Sequence, residues 1–322
     1  MKGIGILLML MGHWPNCPHW LHQFIYSFHM PLFFIVAGFF AKPLSVTIGQ
    51  TVLNNAKRLL LPFVVTQTLL VIWGAWQSIE KQNVSYFIKP LLSLVWGCSD
   101  AAVTQWGNIY VGPVWFLLAL FWSKTIFGFL AKKFYKWNLL LTCVGLSIGS
   151  NMLHKYVSIP WCLLQGLSGL VFMSAGYLIK EKCIPRWTCW VCFACWPIAI
   201  AISGMEMSCC DYRFYPLDIL GACGGTLCVY YLSKQVRAVK RLATPVSWLG
   251  LNSLVILCFH DFEWFSSIAY SIKCRLPFEI QGDVMYLFRI LLLSIMVGLT
   301  IRMPVARKLF GVKSFNDETK VA

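Results

Sequence analysis

Two residues near the N-terminus place a cation and an imidazole at the ends of one apolar run. Lys2 and His13 enclose ten uncharged residues, 3–12. If the run is an α-helix, the eleven steps between them make about three turns plus roughly 20°, so both side chains lie on one face, about 16 Å apart along the axis. A lysine can bind an anion, and an imidazole with its ordinary pKa of about 6.5 can exchange a proton near neutral pH. The spacing predicts one wall of a polar site.

The composition indicates that the helices positioning these residues belong to a membrane protein. Of the 322 residues, 58% are hydrophobic and 12% are charged, whereas a soluble domain has about 25% charged residues. At about 20 residues for each span, the chain has room for roughly ten transmembrane helices. The composition therefore predicts an all-α, polytopic membrane bundle and no separate soluble domain.

The apolar segments of the sequence agree with this estimate of ten spans. A shorter apolar run, 84–98, is not counted among them, because it follows Glu80-Lys81 and is expected to be an interfacial or re-entrant segment. The ten predicted spans are residues 2–13, 24–41, 60–79, 113–131, 137–153, 162–179, 187–204, 214–233, 245–264 and 284–302.

The positions of the lysines and arginines predict the orientation of the bundle. If the predicted spans alternate in direction, 20 of the 27 cations fall on the side that holds Lys2. Cytoplasmic loops carry the excess of Lys and Arg, so both termini are expected in the cytoplasm. The same clustering assigns the net charge of +15 to topology and not to a nucleic-acid partner. Most cysteines lie in apolar segments, where they behave as small apolar residues, and no metal site is predicted.

Each candidate site residue also has an ordinary structural explanation. An isolated histidine in an apolar helix, such as His13 or His29, is more often a hydrogen-bonded packing residue than a catalyst. Lys57 and Arg58 precede an apolar run and suit a positive-inside anchor, and Trp115 suits an interfacial aromatic position. None of these residues alone identifies a reaction.

Five short motifs occur in order along nearly the whole chain. They are Lys2-Gly-Ile-Gly-Ile with Gly12-His13, Ser27-Phe-His-Met-Pro-Leu-Phe-Phe, Arg58-Leu-Leu-Leu-Pro-Phe, Gly112-Pro-Val-Trp-Phe-Leu and Gly250-Leu-Asn-Ser with His260. This order resembles the acyltransferase-3 family, whose members are polytopic membrane enzymes. They O-acylate, and usually O-acetylate, extracytoplasmic carbohydrates. The resemblance implies a multi-pass protein of the inner (plasma) membrane.

The resemblance also implies a domain organisation. Residues 1–312 would form the transmembrane acyltransferase domain, and residues 313–322 a short cytoplasmic tail. The chain would be a stand-alone form, without the extracytoplasmic hydrolase-like domain that some relatives carry. Family members have further residues before the basic position of the first helix, whereas Met1 directly precedes Lys2. We therefore expect the true start to lie upstream.

The first helix of the family has a basic residue followed, after ten intervening residues, by an essential histidine. Lys2 and His13 match that spacing. The resemblance therefore implies that His13 is catalytic and that Lys2 supplies a charge at the donor end. A neutral imidazole can remove the proton of an acceptor hydroxyl, or it can accept the acyl group itself in a ping-pong route. The sequence leaves both routes open.

The implied substrates assign roles to the remaining motif residues. Lys57 and Arg58 would bind the phosphates of cytosolic acetyl-CoA, which is a substrate, and no cofactor is expected. The acceptor is expected to be a hydroxyl of an extracytoplasmic carbohydrate. The residues expected to line the substrate site are His29, Trp115, Asn252 and His260.

Two other functions fit the same polar residues. A transporter or flippase for a lipid-linked glycan would also use intramembrane charges and an outer aromatic rim, but it would need no acetyl donor. A structural membrane partner of a glycan-assembly complex would make the register of Lys2 and His13 a coincidence. Incorporation of labelled acetate into the glycan separates the enzyme from both.

Overall fold

The computed structural model describes residues 1–14, 16–42, 47–99, 109–260 and 278–311. Within these ranges the chain is helical apart from its loops and one isolated antiparallel bridge between Glu206 and Asp211. The predicted all-α class is therefore confirmed for the described part of the chain. The predicted tail, 313–322, lies outside the described residues.

Sixteen α-helices occur in the described ranges. The π-helical turn Ala56–Leu60 joins the fourth helix to the fifth. In chain order the helices are α1 Lys2–Gly12, α2 His19–Tyr26, α3 His29–Phe39, α4 Ile48–Asn55, α5 Leu61–Glu80, α6 Ser85–Trp96, α7 Trp115–Lys133, α8 Lys136–His154, α9 Leu163–Ser168, α10 Leu170–Lys180, α11 Trp187–Ile202, α12 Tyr215–Ala238, α13 Lys240–Leu251, α14 Ser253–Phe259, α15 Phe278–Arg302 and α16 Pro304–Phe310.

Several helices are long and apolar enough to cross a membrane. In the described ranges these are His19–Phe39, Ile48–Glu80 and Gly112–Lys133, and the number rises to six if each of three bent helix pairs is one span. The pairs are Pro160–Ser168 with Leu170–Lys180, Lys240–Leu251 with Ser253–Phe259, and Tyr286–Arg302 with Pro304–Phe310, bent by 45°, 62° and 103°. The ten predicted spans and the cytoplasmic termini stay predictions.

Helix α1 packs against α13 through direct backbone contact. A Cβ atom added at Gly3 would lie 1.9 Å from the carbonyl oxygen of Val246, and one added at Gly250 would lie 2.9 Å from the backbone nitrogen of Gly3. Only glycine permits this approach, and small residues serve the same purpose between membrane helices in general. The start of α1, which carries the Lys2-Gly-Ile motif, therefore packs directly against Gly250 of α13.

The apolar stretch after the buried His29 packs in the same way against α10. A Cβ atom at Gly38 would lie 2.0 Å from the carbonyl oxygen of Met173, and one at Gly176 would lie 2.0 Å from that of Ile35. This close contact holds α3 in the centre of the core. The short run predicted at 84–98 forms α6, which packs along α5.

Candidate active site

His13 lies at the end of α1 and contacts two other aromatic rings. Its backbone N–H donates to the carbonyl oxygen of Met9 at 3.2 Å, which closes the last helical turn. Its imidazole centroid lies 5.0 Å from that of His260 and 6.2 Å from the ring centroid of Tyr26, which presents an edge-to-face contact. The fold thus brings the first helix and the residue after α14 together.

The tautomers of His29 and His260 are set by backbone carbonyl groups. Nδ1 of His29 lies 3.0 Å from the oxygen of Ile25, and Nδ1 of His260 lies 2.9 Å from the oxygen of Leu257. A carbonyl oxygen can only accept, so each Nδ1 carries the hydrogen and donates it. Nε2 is then the basic nitrogen of each ring. Both rings are buried, with 3% and 0% of their surface exposed.

Tyr26 connects the histidines, although sequence reasoning did not single it out. Its ring lies 4.7 Å from that of His29 and stacks on that of His22 at 3.8 Å, with an angle of 21° between the planes. His22 and Tyr26 lie four residues apart on α2, a spacing that places them on one helix face, and His29 begins α3 three residues later. That periodicity is the signal that identifies Tyr26. We call His13, His22, Tyr26, His29 and His260 the histidine cluster.

A cavity of about 1000 Å³ adjoins the histidine cluster. It begins at Lys2 and extends along α1 as far as Met9, whose carbonyl oxygen accepts the N–H of His13. Met30, which follows His29, and Leu257, which accepts the hydrogen bond of His260, also line it. Each of these three histidines is therefore one peptide bond or one hydrogen bond from the cavity wall.

The cavity has a strongly positive wall. Lys2, Arg58, Lys124 and Arg237 line it, and no Asp or Glu occurs among its described lining residues. Lys124 is within electrostatic range of Arg58 and Lys2. Among the described residues, Lys180 and Glu181 form an ion pair at 3.7 Å, and neither of them lines the cavity. Gathering like charges costs free energy, more so where the surroundings are less polar than water, so this wall is suited to an anionic ligand.

Lys124 and Arg237 were not predicted as site residues. Lys124 is one of the few cations inside an apolar helix, and that isolation is a signal that sequence reasoning can use. Arg237 lies in the last turn of α12, where a basic residue is ordinarily a topological anchor. Nothing in its sequence neighbourhood marks it as part of a cavity.

The other predicted site residues divide between the cavity and the core. Asn252 lines the cavity, and its Nδ2 donates to the carbonyl oxygen of Trp248 at 2.9 Å. Arg58 and the adjacent Lys57 are both exposed, but Arg58 is among the residues that line the cavity and Lys57 is not. Trp115 is buried at the start of α7 against Phe116, which does line the cavity. The roles of these residues stay predictions.

Helix α11 carries a cysteine repeat with a spacing that can bind a metal. Cys189, Cys192 and Cys195 follow one another at intervals of three residues. Within the described part of the chain, no three His, Cys, Asp or Glu side chains are placed to hold a metal ion. The repeat therefore supplies no metal site among these residues.

Comparisons with known proteins identify the family. A family model described as an acyltransferase domain matches residues 1–303. Nodulation protein NolL of Sinorhizobium fredii is 26% identical, in a match that covers 61% of this chain and 56% of that relative. The chain thus matches little more than half of the relative's length. No solved structure matches the chain. Because the domain model covers nearly the whole chain, the protein belongs to the acyltransferase-3 family.

Proposed function

We propose that this protein transfers an acetyl group from cytosolic acetyl-CoA to a hydroxyl of an extracytoplasmic carbohydrate. The observation that carries the proposal is a cavity whose wall holds four cations and whose lining includes Met9, Met30 and Leu257, each one hydrogen bond or one peptide bond from a residue of the histidine cluster. Membership of the family supports acyl transfer. The relative is named a nodulation protein, and that name by itself specifies no acceptor.

The cavity suits a long, phosphate-bearing donor in size and charge. Its volume of about 1000 Å³ lies at the upper end of the range of about 300–1000 Å³ for ligand pockets. Coenzyme A carries a diphosphate and a phosphate monoester, and a monoester alone has about −1.5 to −2 charges at pH 7. Lys2, Arg58, Lys124 and Arg237 would bind these groups, and the thioester end would extend along α1 towards His13.

The reaction requires proton movements that an imidazole can make. In the direct route, His13 removes the proton of the acceptor hydroxyl while the hydroxyl oxygen attacks the thioester carbonyl. A C–O bond forms, the C–S bond breaks, and the CoA thiolate leaves and receives the proton from His13. In the ping-pong route, an imidazole nitrogen of His13 attacks the thioester carbonyl, so that a C–N bond forms, the C–S bond breaks and the CoA thiolate leaves with a proton. The acceptor hydroxyl oxygen then attacks the acetyl carbon, a C–O bond forms as the C–N bond breaks, and the hydroxyl proton returns to the imidazole. Both routes place the imidazole between donor and acceptor.

The charge pattern supports a direction of transfer from the cytoplasm outwards. The excess of Lys and Arg on the side of Lys2 supports a cytoplasmic opening of the cavity and a multi-pass location in the inner membrane. The donor would enter at Lys2, and the acceptor would approach His13 from the outer side. Only the acetyl group would then cross the permeability barrier.

The test is acetyl transfer by membranes that contain His13→Ala at the wild-type level. We expect labelled acetate from acetyl-CoA to enter the surface glycan with the wild-type protein and with His19→Ala, an exposed histidine control, but not with His13→Ala. Transfer by His13→Ala would contradict the catalytic assignment. Normal glycan export that depends on the protein without any acetylation would instead support the transporter.

A further inference from the structure

The loop after His13 is tied to the start of α15 by two hydrogen bonds to one carboxylate oxygen. Trp14 Nε1 donates to Asp283 Oδ1 at 3.0 Å, and Asn16 Nδ2 donates to the same oxygen at 3.0 Å. Trp14 and Asp283 are half-buried, and Asn16 is exposed. This hydrogen-bonded group of three residues is therefore partly open to solvent, and it begins at Trp14, directly after the candidate catalytic His13.

One face of α15 is directed towards this loop. The ring of Tyr286 lies 6.0 Å from that of Trp14, and Arg289 is within electrostatic range of His13. Asp283, Tyr286 and Arg289 follow at intervals of three residues, so they share one helix face. Asp283 and Tyr286 on this face both contact Trp14, and Asp283 also contacts Asn16.

These residues are separate from the cationic cavity. Trp14, Asn16, Asp283 and Tyr286 are all absent from its lining, which ends along α1 at Met9. The cavity lies along α1 on the Lys2 side of His13, whereas these residues follow His13 in the chain or contact residues that do. A second substrate can therefore meet the imidazole here without entering the donor cavity.

We propose that Trp14, Asn16, Asp283 and Tyr286 form the acceptor subsite and that it binds a neutral sugar unit. The proposal rests on the proposed acetyl transfer. Carboxylate and amide groups are matched to the hydroxyls of a sugar, because each hydroxyl can both donate and accept. Aromatic rings offer large apolar faces for the C–H side of a sugar ring. Trp14 follows His13 directly in the chain, and the other three side chains contact Trp14 or share Asp283 with it, so the group lies next to the residue that the acceptor hydroxyl has to approach.

The hydrogen bonds give Asp283 a defined role in binding. Trp14 and Asn16 hold Oδ1 of Asp283 in place, so Oδ2 of the same carboxylate has a fixed orientation. Oδ2 accepts a hydrogen bond from a hydroxyl of the sugar. Asn16 adds an amide oxygen on the solvent side. The subsite binds and orients the sugar, while His13 handles the proton. A clamp with a purely structural role would instead leave sugar binding unchanged wherever the protein remained folded.

The kinetic test uses Asp283→Asn, which keeps the side-chain shape, and Trp14→Phe, which keeps a ring but loses the N–H donor. The control is Asp211→Asn, an exposed carboxylate in the loop before α12. The probes are methyl glycosides of glucose, galactose, mannose and N-acetylglucosamine, with acetyl-CoA as donor. We expect both variants to raise the acceptor KM at least about tenfold, which is about 1.4 kcal/mol, and to leave the KM for acetyl-CoA within about twofold. Equal changes in both KM values, or no change in the acceptor KM, would overturn the proposal.

Direct binding distinguishes failure of this proposal from failure of the proposed function. Each glycoside is titrated into purified protein without acetyl-CoA, and the binding heat is measured. Saturable binding by the wild type and by Asp211→Asn, lost in Asp283→Asn, would support the subsite even if no acetyl transfer occurred. If the wild-type protein transfers acetyl groups to a glycoside and Asp283→Asn binds that glycoside equally well, the subsite is wrong and the proposed function stands. Absence of glycoside binding by the wild type would also overturn the subsite.

Discussion

The imidazole rings of His13 and His260 lie 5.0 Å apart, although one residue ends the first helix and the other follows the fourteenth. His260 is completely buried and is held by the carbonyl of Leu257. His13 therefore has a neighbour whose tautomer is fixed by the backbone. This contact gives the candidate catalytic residue a defined environment and connects it to the wall of the cavity.

The cavity cations lead to a prediction about donor affinity. Lys124→Gln or Arg237→Gln removes one charge and keeps a long polar side chain. Since a hydrogen bond to a charged group contributes about 1.5–3 kcal/mol, we expect each variant to raise the KM for acetyl-CoA about tenfold to a hundredfold with little change in kcat. Lys132→Gln, in the last turn of α7 and outside the cavity lining, should keep the wild-type KM. An unchanged KM in both cavity variants would contradict phosphate binding there.

Lys57 and Arg58 are adjacent in sequence but differ in position, which allows a matched comparison. Arg58 lines the cavity and Lys57 does not. We expect Arg58→Gln to raise the KM for acetyl-CoA about tenfold and Lys57→Gln to change it less than about twofold. Initial rates at varied acetyl-CoA, with protein levels matched in membranes, measure both. Equal effects would instead support the donor-binding role that the sequence predicts for both Lys57 and Arg58.

Tyr26 is predicted to act through its ring. It contacts the rings of His13, His22 and His29, and each aromatic pair contributes about 0.5–1.5 kcal/mol beyond buried area. Tyr26→Phe keeps these contacts and should retain kcat within about threefold. Tyr26→Ala removes them and should lower kcat at least about tenfold, with the KM for acetyl-CoA unchanged. If Tyr26→Phe loses as much activity as Tyr26→Ala, the phenolic hydroxyl is the important group.

The contact between α1 and α13 leads to a prediction about stability. Gly3→Ala adds a methyl group 1.9 Å from the oxygen of Val246, so the two backbones have to separate. We expect a lower thermal midpoint, measured by size-exclusion chromatography after heating. Gly145→Ala is the control, because no atom lies within 4 Å of a Cβ added there. In the helix α8 it should be neutral or stabilise by up to about 1 kcal/mol. Equal midpoints for both variants would contradict the close contact.

The sequence was most informative where the signal is local. Lys2 and His13 are predicted to lie on one helix face because the eleven steps between them make nearly whole turns, and α1 covers Lys2 and all the intervening residues. The four-residue spacing of His22 and Tyr26 on α2 is an equally local signal. The all-α class follows from composition and is confirmed for the described residues.

Contacts between distant segments could not be predicted in this way. Nothing near Arg237 shows that it faces the same cavity as Lys2, because a basic helix end looks the same whether it meets lipid headgroups or a ligand. The difference between Lys57 and Arg58 arises within a single π-helical turn, and sequence patterns do not resolve such a turn. Trp115 shares a motif with Phe116, yet only Phe116 reaches the cavity.

The backbone contact of Gly3 and Gly250 also limits how α1 can move. Without side chains between them, α1 cannot slide along α13 or rotate against it without a clash. Lys2 and His13 are thus held about 16 Å apart along the helix axis. If the phosphates of the donor bind at Lys2, the length of the flexible part of the donor decides whether its thioester reaches the imidazole. The enzyme would select its acyl carrier by length as well as by charge.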